Sequence, residues 1–89
     1  MKAVVTVIGK DHVGIMSFVC NLLAKYQINI LDVSQTVMDE FFTMVMLVDI
    51  SACSVRVAEL GDIMAKAGEE QELSIRIQRE DIFQAMHRI

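Results

Sequence analysis

Two hydrophobic periodicities alternate along this chain, and their order is the feature that most constrains its fold. A β-branched apolar run at 3–8 predicts a buried central strand. Apolar residues then recur at three- and four-residue steps over 15–26, which is the spacing of one helix face. Two further apolar segments, 28–38 and 41–50, are separated by only two residues and predict a hairpin.

The second half of the chain repeats the change of period. After a serine-containing break at 51–54, helical spacing returns over 57–67. Apolar and polar residues alternate strictly at 73–78, which predicts a strand with one solvated face. Residues 80–89 carry an apolar stripe between an acidic start and a basic end, and this pattern predicts a short amphipathic helix.

The order strand, helix, strand, strand, helix, strand predicts an α+β fold, the ferredoxin-like βαββαβ sandwich. An antiparallel four-stranded sheet would carry both helices on one face, and a short C-terminal helix would follow. One domain is expected over residues 1–78, with a tail at 79–89. Because segment 41–50 is apolar on both faces, the open face or an edge of the sheet is predicted to contact another subunit.

Local patterns make finer predictions about helix ends and strand faces. Asp11 or His12 is expected to cap the first helix, and the serines at 51–54 are available for the second. Gly68 is expected to end the second helix, while Gly61 would permit close packing against a strand. Alternation in the second strand predicts two opposite faces: Leu31, Val33 and Val37 on one, and Ile30, Asp32, Ser34, Thr36 and Met38 on the other.

Composition and charge exclude several function classes. With 89 residues that are 54% hydrophobic, part of the apolar surface would stay uncovered in a monomer, which predicts a homodimer or a dimer of dimers. The net charge is −4 and the basic residues are scattered, which argues against nucleic acid as a partner. No apolar run approaches the ~20 residues of a membrane span, and no signal-peptide core opens the chain, so a cytoplasmic protein is expected.

Other ferredoxin-like classes lack the residues that they need here. The first strand has no aromatic side chain on which RNA bases could stack. The loop at 9–14 has neither the cysteine pair of a heavy-metal carrier nor the arginine of an acylphosphatase. No catalytic group, metal or cofactor is expected.

Residues 7–16, VIGKDHVGIM, combine an apolar strand end, a polar loop, a glycine at the helix start and aliphatic residues. Residues 27–30, QINI, open the second strand. In this order the two segments resemble the ACT domain family over nearly the whole chain, up to about Ile77. The chain is most similar in character to small stand-alone bacterial and archaeal ACT proteins and to modules of the glycine-cleavage repressor type. It departs from the family pattern at His12 and Val13, where Arg-Pro is common, and at Gln27, where glycine is common.

The resemblance implies a regulatory, non-catalytic module that binds a small, amino-acid-like effector as a homo-oligomer and acts on a regulated protein partner. In ACT domains that bind amino acids, the effector lies at a subunit interface. It is held by the loop between the first strand and helix and by the start of the neighbour's second strand. Carried over to this chain, the ligand-binding residues are Gly9, Asp11, His12, Gly14, Ile15 and Asn29.

The chemistry of these residues suits a zwitterion. Free backbone N–H groups at a helix start attract a carboxylate, and Gly14 would let a ligand approach the backbone closely. Asp11 offers an acceptor to an ammonium group, and Asn29 offers both a donor and an acceptor.

Structural roles stand as alternatives for the same residues. Asp11 would serve as a helix cap, Asn29 as a turn residue and Gly14 as a packing position. The alternative function is a protein–protein assembly module of the same fold without a small ligand. An enzyme is the third hypothesis, since Asp11 and His12 form an acid–imidazole pair, but the loop offers no serine or cysteine nucleophile.

Overall fold

A single antiparallel sheet with two crossover helices makes up the described part of the chain. The computed structural model describes residues 1–79, with the element order β1 (Lys2–Lys10), α1 (Ile15–Lys25), β2 (Asn29–Met38), β3 (Phe41–Asp49), α2 (Val57–Glu70) and β4 (Leu73–Arg79). The strand order in the sheet is β2-β3-β1-β4, and every neighbouring pair is antiparallel. The predicted ferredoxin-like βαββαβ sandwich is therefore confirmed. Residues 80–89, which carry the predicted C-terminal helix, lie outside the described residues.

Both helices pack on one face of the sheet. Alternate residues of the two central strands, β1 and β3, point into this layer, because successive side chains of a strand face opposite ways. The buried core draws on every described element except β2: Ala3, Val5, Val7, Ile15, Val19, Leu23, Phe42, Met44, Met46, Val48, Leu60, Met64, Leu73 and Ile75. The opposite face carries no helix formed by residues 1–79.

Strand β2 lies at the sheet edge and contributes little to the core. All of its residues except the half-buried Ile30 are exposed, including the apolar Leu31, Val33 and Val37. Its only strand partner among the described residues is β3. An edge strand with free backbone groups and apolar side chains is a ready site for pairing with another chain.

A β-bulge near the start of β2 changes one predicted face. Ile30 lies opposite Val48 and Asp32 lies opposite Leu47, so Leu31 is the extra residue. Val48 is a core residue, and Ile30 therefore lies on the helix-covered face rather than with Asp32, as the alternation had predicted. Beyond the bulge the predicted alternation is confirmed: Val33 and Val37 lie on one face of the strand, and Asp32, Ser34, Thr36 and Met38 lie on the other.

The predicted helix ends were wrong in three places. Helix α1 begins after Gly14, which has φ 94° and no side-chain cap, so neither Asp11 nor His12 caps it. Helix α2 begins after Arg56, beyond the reach of the serines, and also lacks a side-chain cap. It continues through Gly68 to Glu70, because that glycine keeps helical geometry and the chain turns at Gln71.

A polar cluster at the end of β3 links stability to pH. The Ser51 hydroxyl and backbone N–H donate to Asp49 Oδ1 at 2.6 and 2.9 Å, and the Met1 ammonium group lies 3.6 Å away. The Ser51 side-chain hydrogen bond, and then its backbone hydrogen bond, lower the pKa of Asp49 from its ordinary value of 3.8. Since the folded-state pKa is lowered, the carboxylate stabilises the fold above that ordinary value. This contribution is lost as pH falls through the folded-state pKa.

We therefore expect Asp49→Asn to lower the thermal midpoint at pH 7, and the difference from wild type to disappear as pH falls through the lowered folded-state pKa of Asp49. Thermal melts from neutral to acidic pH would measure it, with Asp62→Asn on the exposed face of α2 as the control. A midpoint difference for Asp49→Asn that stays constant across this range would show that ionisation of the carboxyl does not stabilise the fold.

Candidate functional site

The β1–α1 loop lies at the end of the sheet where two other turns also lie, and it contacts both. The Asp11 N–H donates to the carbonyl oxygen of Glu40 in the β2–β3 turn at 2.7 Å. The Nε2 atom of His12 lies 3.3 Å from the carbonyl oxygen of Gln71 in the α2–β4 turn. These contacts fix the loop relative to its surroundings and define the candidate site.

Gly14 gives the loop an open backbone at the start of α1. Its φ of 94° favours glycine, and a Cβ built on it would have no atom within 4 Å. The first hydrogen bond of the helix runs from Phe18 N–H to Gly14 O at 2.9 Å. The N–H groups of the residues between these two therefore have no acceptor within the helix. No side chain caps them and no acidic residue occupies the first turn of α1. The helix start is thus suited to an anion such as a carboxylate.

Asp11 adds an exposed carboxylate to the loop, three residues before Gly14. Its side chain makes no hydrogen bond or ion pair with any residue of the described chain. Nearby segments are also acidic: Asp39, Glu40 and Glu72 lie in the two turns and Glu69 and Glu70 end α2, against Lys10 and His12. The local field favours a cationic group on a ligand and opposes a second anionic one.

Two of the predicted ligand residues have packing roles that the structure makes explicit. A Cβ at Gly9 would lie 2.6 Å from Leu73 Cδ2 and 3.0 Å from Glu72 O, so the close approach of β4 requires glycine here. The side chain of Ile15 is 3% exposed and belongs to the core, which leaves only its backbone for a ligand.

The His12 ring is turned toward main-chain oxygens. Nδ1 lies 3.2 Å from Val13 O, and Nε2 faces Gln71 O, so both ring nitrogens are directed at acceptors. A neutral imidazole can donate to one of them and an imidazolium to both. Asp11 makes no hydrogen bond with this ring, so the acid–imidazole pair required by the enzyme hypothesis is not formed.

Asn29 lies at the opposite end of the sheet from the other predicted residues. It pairs with Asp49, whereas the loop leaves the sheet at Lys10, which pairs with Phe41. The length of β2 separates the two ends by about 30 Å. One chain therefore brings together Gly9, Asp11, His12, Gly14 and Ile15, but not Asn29.

Sequence reasoning missed the two turns that hold the loop. Glu40 and Gln71 act through backbone carbonyl oxygens. Since every residue type has such an oxygen, no side-chain pattern could have predicted these contacts.

A separate groove lies between α2 and β4. Its volume is about 270 Å³, and it is lined by Ala65, Glu69, Leu73, Ser74, Ile75 and Arg76. None of the predicted ligand residues lines it.

Residues 1–79 contain neither a metal-binding cluster nor a membrane-spanning helix. No group of three or more His, Cys, Asp or Glu side chains in this part of the chain could hold a metal ion. None of its helices is both long and apolar enough to cross a membrane.

Comparison with known proteins gives consistent matches over the whole domain. A family described as "ACT domain" matches residues 2–78. A UPF0237 protein of Neisseria meningitidis serogroup B is 55% identical over 88 residues, covering 99% of this chain and 98% of that protein. The solved ACT domain protein from Streptococcus pneumoniae has a TM-score of 0.84 and 40% identity, with 98% of each chain covered. A putative glycine cleavage system transcriptional repressor has a TM-score of 0.73 at 24% identity, over 88% of this chain and 44% of that chain, which shows a shared fold.

Proposed function

This chain belongs to the ACT domain family, and from that premise we propose that it is a non-catalytic regulatory module. It binds a small amino-acid-like ligand as a homo-oligomer and passes the ligand level to a protein partner in the cytoplasm. The observation that carries this proposal is the uncapped start of α1, with Gly14 exposed and the exposed Asp11 three residues before it in the same loop.

An amino acid has the two charges that this loop can hold. Its carboxylate would accept hydrogen bonds from the free amides after Gly14, and its ammonium group would lie by Asp11. The acidic turns around the loop support the second contact, because they lower the energy of a cation there.

A second copy of the chain would complete the site. If β2 pairs antiparallel with β2 of another copy about its middle, Asn29 of the partner subunit lies opposite Met38. Met38 pairs with Phe41, which pairs with Lys10, the last residue of β1. This pairing would carry the partner's Asn29 to the loop end of the sheet, three strand spacings or about 14 Å from Lys10, instead of the roughly 30 Å along β2 within one chain.

Charge supports the same pairing. The loop end of the sheet is acidic, whereas the other end carries Lys2, Lys25, Arg56 and the Met1 ammonium group, against Asp49 and Glu59. An antiparallel pairing along β2 brings unlike ends together, and complementary charge favours the correct orientation on encounter.

Binding across a subunit boundary provides a signal without chemistry. A ligand that binds only the assembled form stabilises it by about 2.7 kcal/mol at one hundred times its Kd. The ligand level would then control how much of the chain is assembled and available to a partner.

We expect at least one proteinogenic amino acid at millimolar concentration to raise the thermal midpoint. The rise should be about 4–8 °C for each kcal/mol of stabilisation, because the domain is small. Asp11→Ala and Asn29→Ala should each abolish the rise, and Asp62→Ala on α2 should retain it. Thermal melts with static light scattering would measure both midpoint and assembly state.

A flat response to all the amino acids would overturn the ligand-binding proposal and favour the assembly-module alternative. One observation supports that alternative: apolar side chains are exposed on the helix-free face near the hairpin, namely Ile8, Met38, Phe41 and Val45. A contiguous patch of this kind is typical of a protein contact.

A further inference from the structure

The β1–α1 loop and the adjoining end of β1 contact three consecutive residues: Gln71 and Glu72 of the α2–β4 turn and Leu73 at the start of β4. His12 Nε2 lies 3.3 Å from Gln71 O. Gly9 approaches Glu72 and Leu73 so closely that a Cβ would lie 3.0 Å from the Glu72 oxygen and 2.6 Å from the Leu73 side chain. Gly9 also pairs with Leu73 across β1 and β4. Leu73 is 4% exposed, and since close-packed interiors transmit displacement, a shift of Gly9 displaces Leu73 and the turn before it.

The turn has little freedom to absorb such a displacement alone. Glu72 has φ 59°, in the left-handed region that residues with side chains seldom adopt. The turn is closed by hydrogen bonds from Gln71 N–H to Gly68 O at 2.9 Å and from Glu72 N–H to Glu69 O at 3.1 Å. Backbone held in a sparsely populated conformation depends on the surrounding structure, and here that structure includes the loop.

The groove between α2 and β4 lies directly beyond this turn. Glu69 and Leu73 belong both to the turn region and to the groove lining. Strand β4 is the sheet edge opposite β2, so the groove lies at the far edge from the proposed contact between copies.

We propose that the β1–α1 loop and the α2–β4 turn form one coupled unit in which His12 is a positioning residue. Ligand binding at the loop is transmitted through this unit to the groove at the β4 edge. The ligand-linked half of the inference rests on the proposed function, whereas the coupling itself does not.

Amide hydrogen exchange in the ligand-free protein tests the coupling. In His12→Ala, the amides of Gln71 and Glu72 should exchange about three- to tenfold faster, as expected when one hydrogen bond that holds the turn is lost. In His12→Gln, whose side-chain N–H can donate to the same oxygen, exchange should return toward the wild-type rate. Val13→Ala is the matched control, because Val13 is the neighbouring residue and fully exposed. Equal rates in His12→Ala and Val13→Ala would overturn the proposal.

Transmission from the loop to the turn is tested with an equimolar mixture of the proteinogenic amino acids. Each is present at about 1 mM, which is on the order of common cellular levels. The mixture should raise the thermal midpoint and slow exchange at Gln71 and Glu72 in the wild type, and the second effect should be lost in His12→Ala. A raised midpoint with unchanged exchange at these amides would overturn transmission and leave the proposed function standing. With no rise in midpoint the proposed function fails, and the ligand-free comparison of His12→Ala with His12→Gln decides the coupling.

Discussion

Gly68→Ala is expected to lower the free energy of unfolding by about 1–3 kcal/mol. A Cβ at this position would lie 2.6 Å from the carbonyl oxygen of Leu73 and 3.0 Å from Ile75 Cγ1. The nearest obstacle is backbone, which cannot move aside as the end of a flexible side chain can. The ~1 kcal/mol that alanine gains over glycine inside a helix offsets only part of this overpacking.

Gly61 provides the matched control within the same helix. A Cβ there would meet only Ile77 Cγ2, at 4.0 Å, which is an ordinary contact. Gly61→Ala is therefore expected to stabilise the protein by about 0.5–1 kcal/mol. Chemical denaturation of both variants measures the two changes. If Gly68→Ala is as stable as Gly61→Ala, α2 does not approach the Leu73 carbonyl of β4 as closely as the structure shows.

The two glycines show where sequence reasoning reaches its limit. The sequence predicted close packing at Gly61 and a helix stop at Gly68, and the structure has the close approach at Gly68, inside α2. Glycine permits several backbone and packing roles. Which role applies depends on the distance to a strand that is remote in sequence.

The element order was predictable because each element has a clear period and lies between polar breaks. Helical steps over 15–26, for example, identify the face on which Val19 and Leu23 are buried. The bulge at Leu31 was not predictable, because one extra residue leaves the apolar pattern of a short strand almost unchanged. The cap of α1 was missed because Gly14 has no side chain to signal it.

For the candidate site, the loop could be located from the sequence but its surroundings could not. The strand-to-helix change around Gly9 and Gly14 places the loop at one end of β1. The distance to Asn29 follows from the sheet register, which depends on pairing between strands rather than on local sequence. The separation of Asn29 from the loop within one chain fits the implication of the family resemblance that a neighbouring subunit supplies this residue.

Val33→Lys is expected to weaken assembly by roughly one hundredfold, by loss of apolar contact and by like-charge repulsion across the pair. Val33 lies near the middle of β2 and is 39% exposed. In the proposed antiparallel pairing Val33 lies close to Val33 of the partner subunit. Because the interface is two-fold symmetric, one substitution changes the contact in both subunits. The folded monomer should lose little stability, because an exposed substitution outside a special feature usually changes it by less than about 0.5 kcal/mol.

Val45→Lys is the matched control for this interface. Val45 lies opposite Ser34, the neighbour of Val33, has a similar exposure of 36%, and faces the helix-free side of the sheet. Light scattering over a concentration series should show a monomer for Val33→Lys and retained pairing for Val45→Lys. The reverse result would place the contact between copies on the open face of the sheet. Asn29 would then remain far from the loop of either copy, and the shared ligand site would have to be abandoned in favour of a site formed by the loop alone.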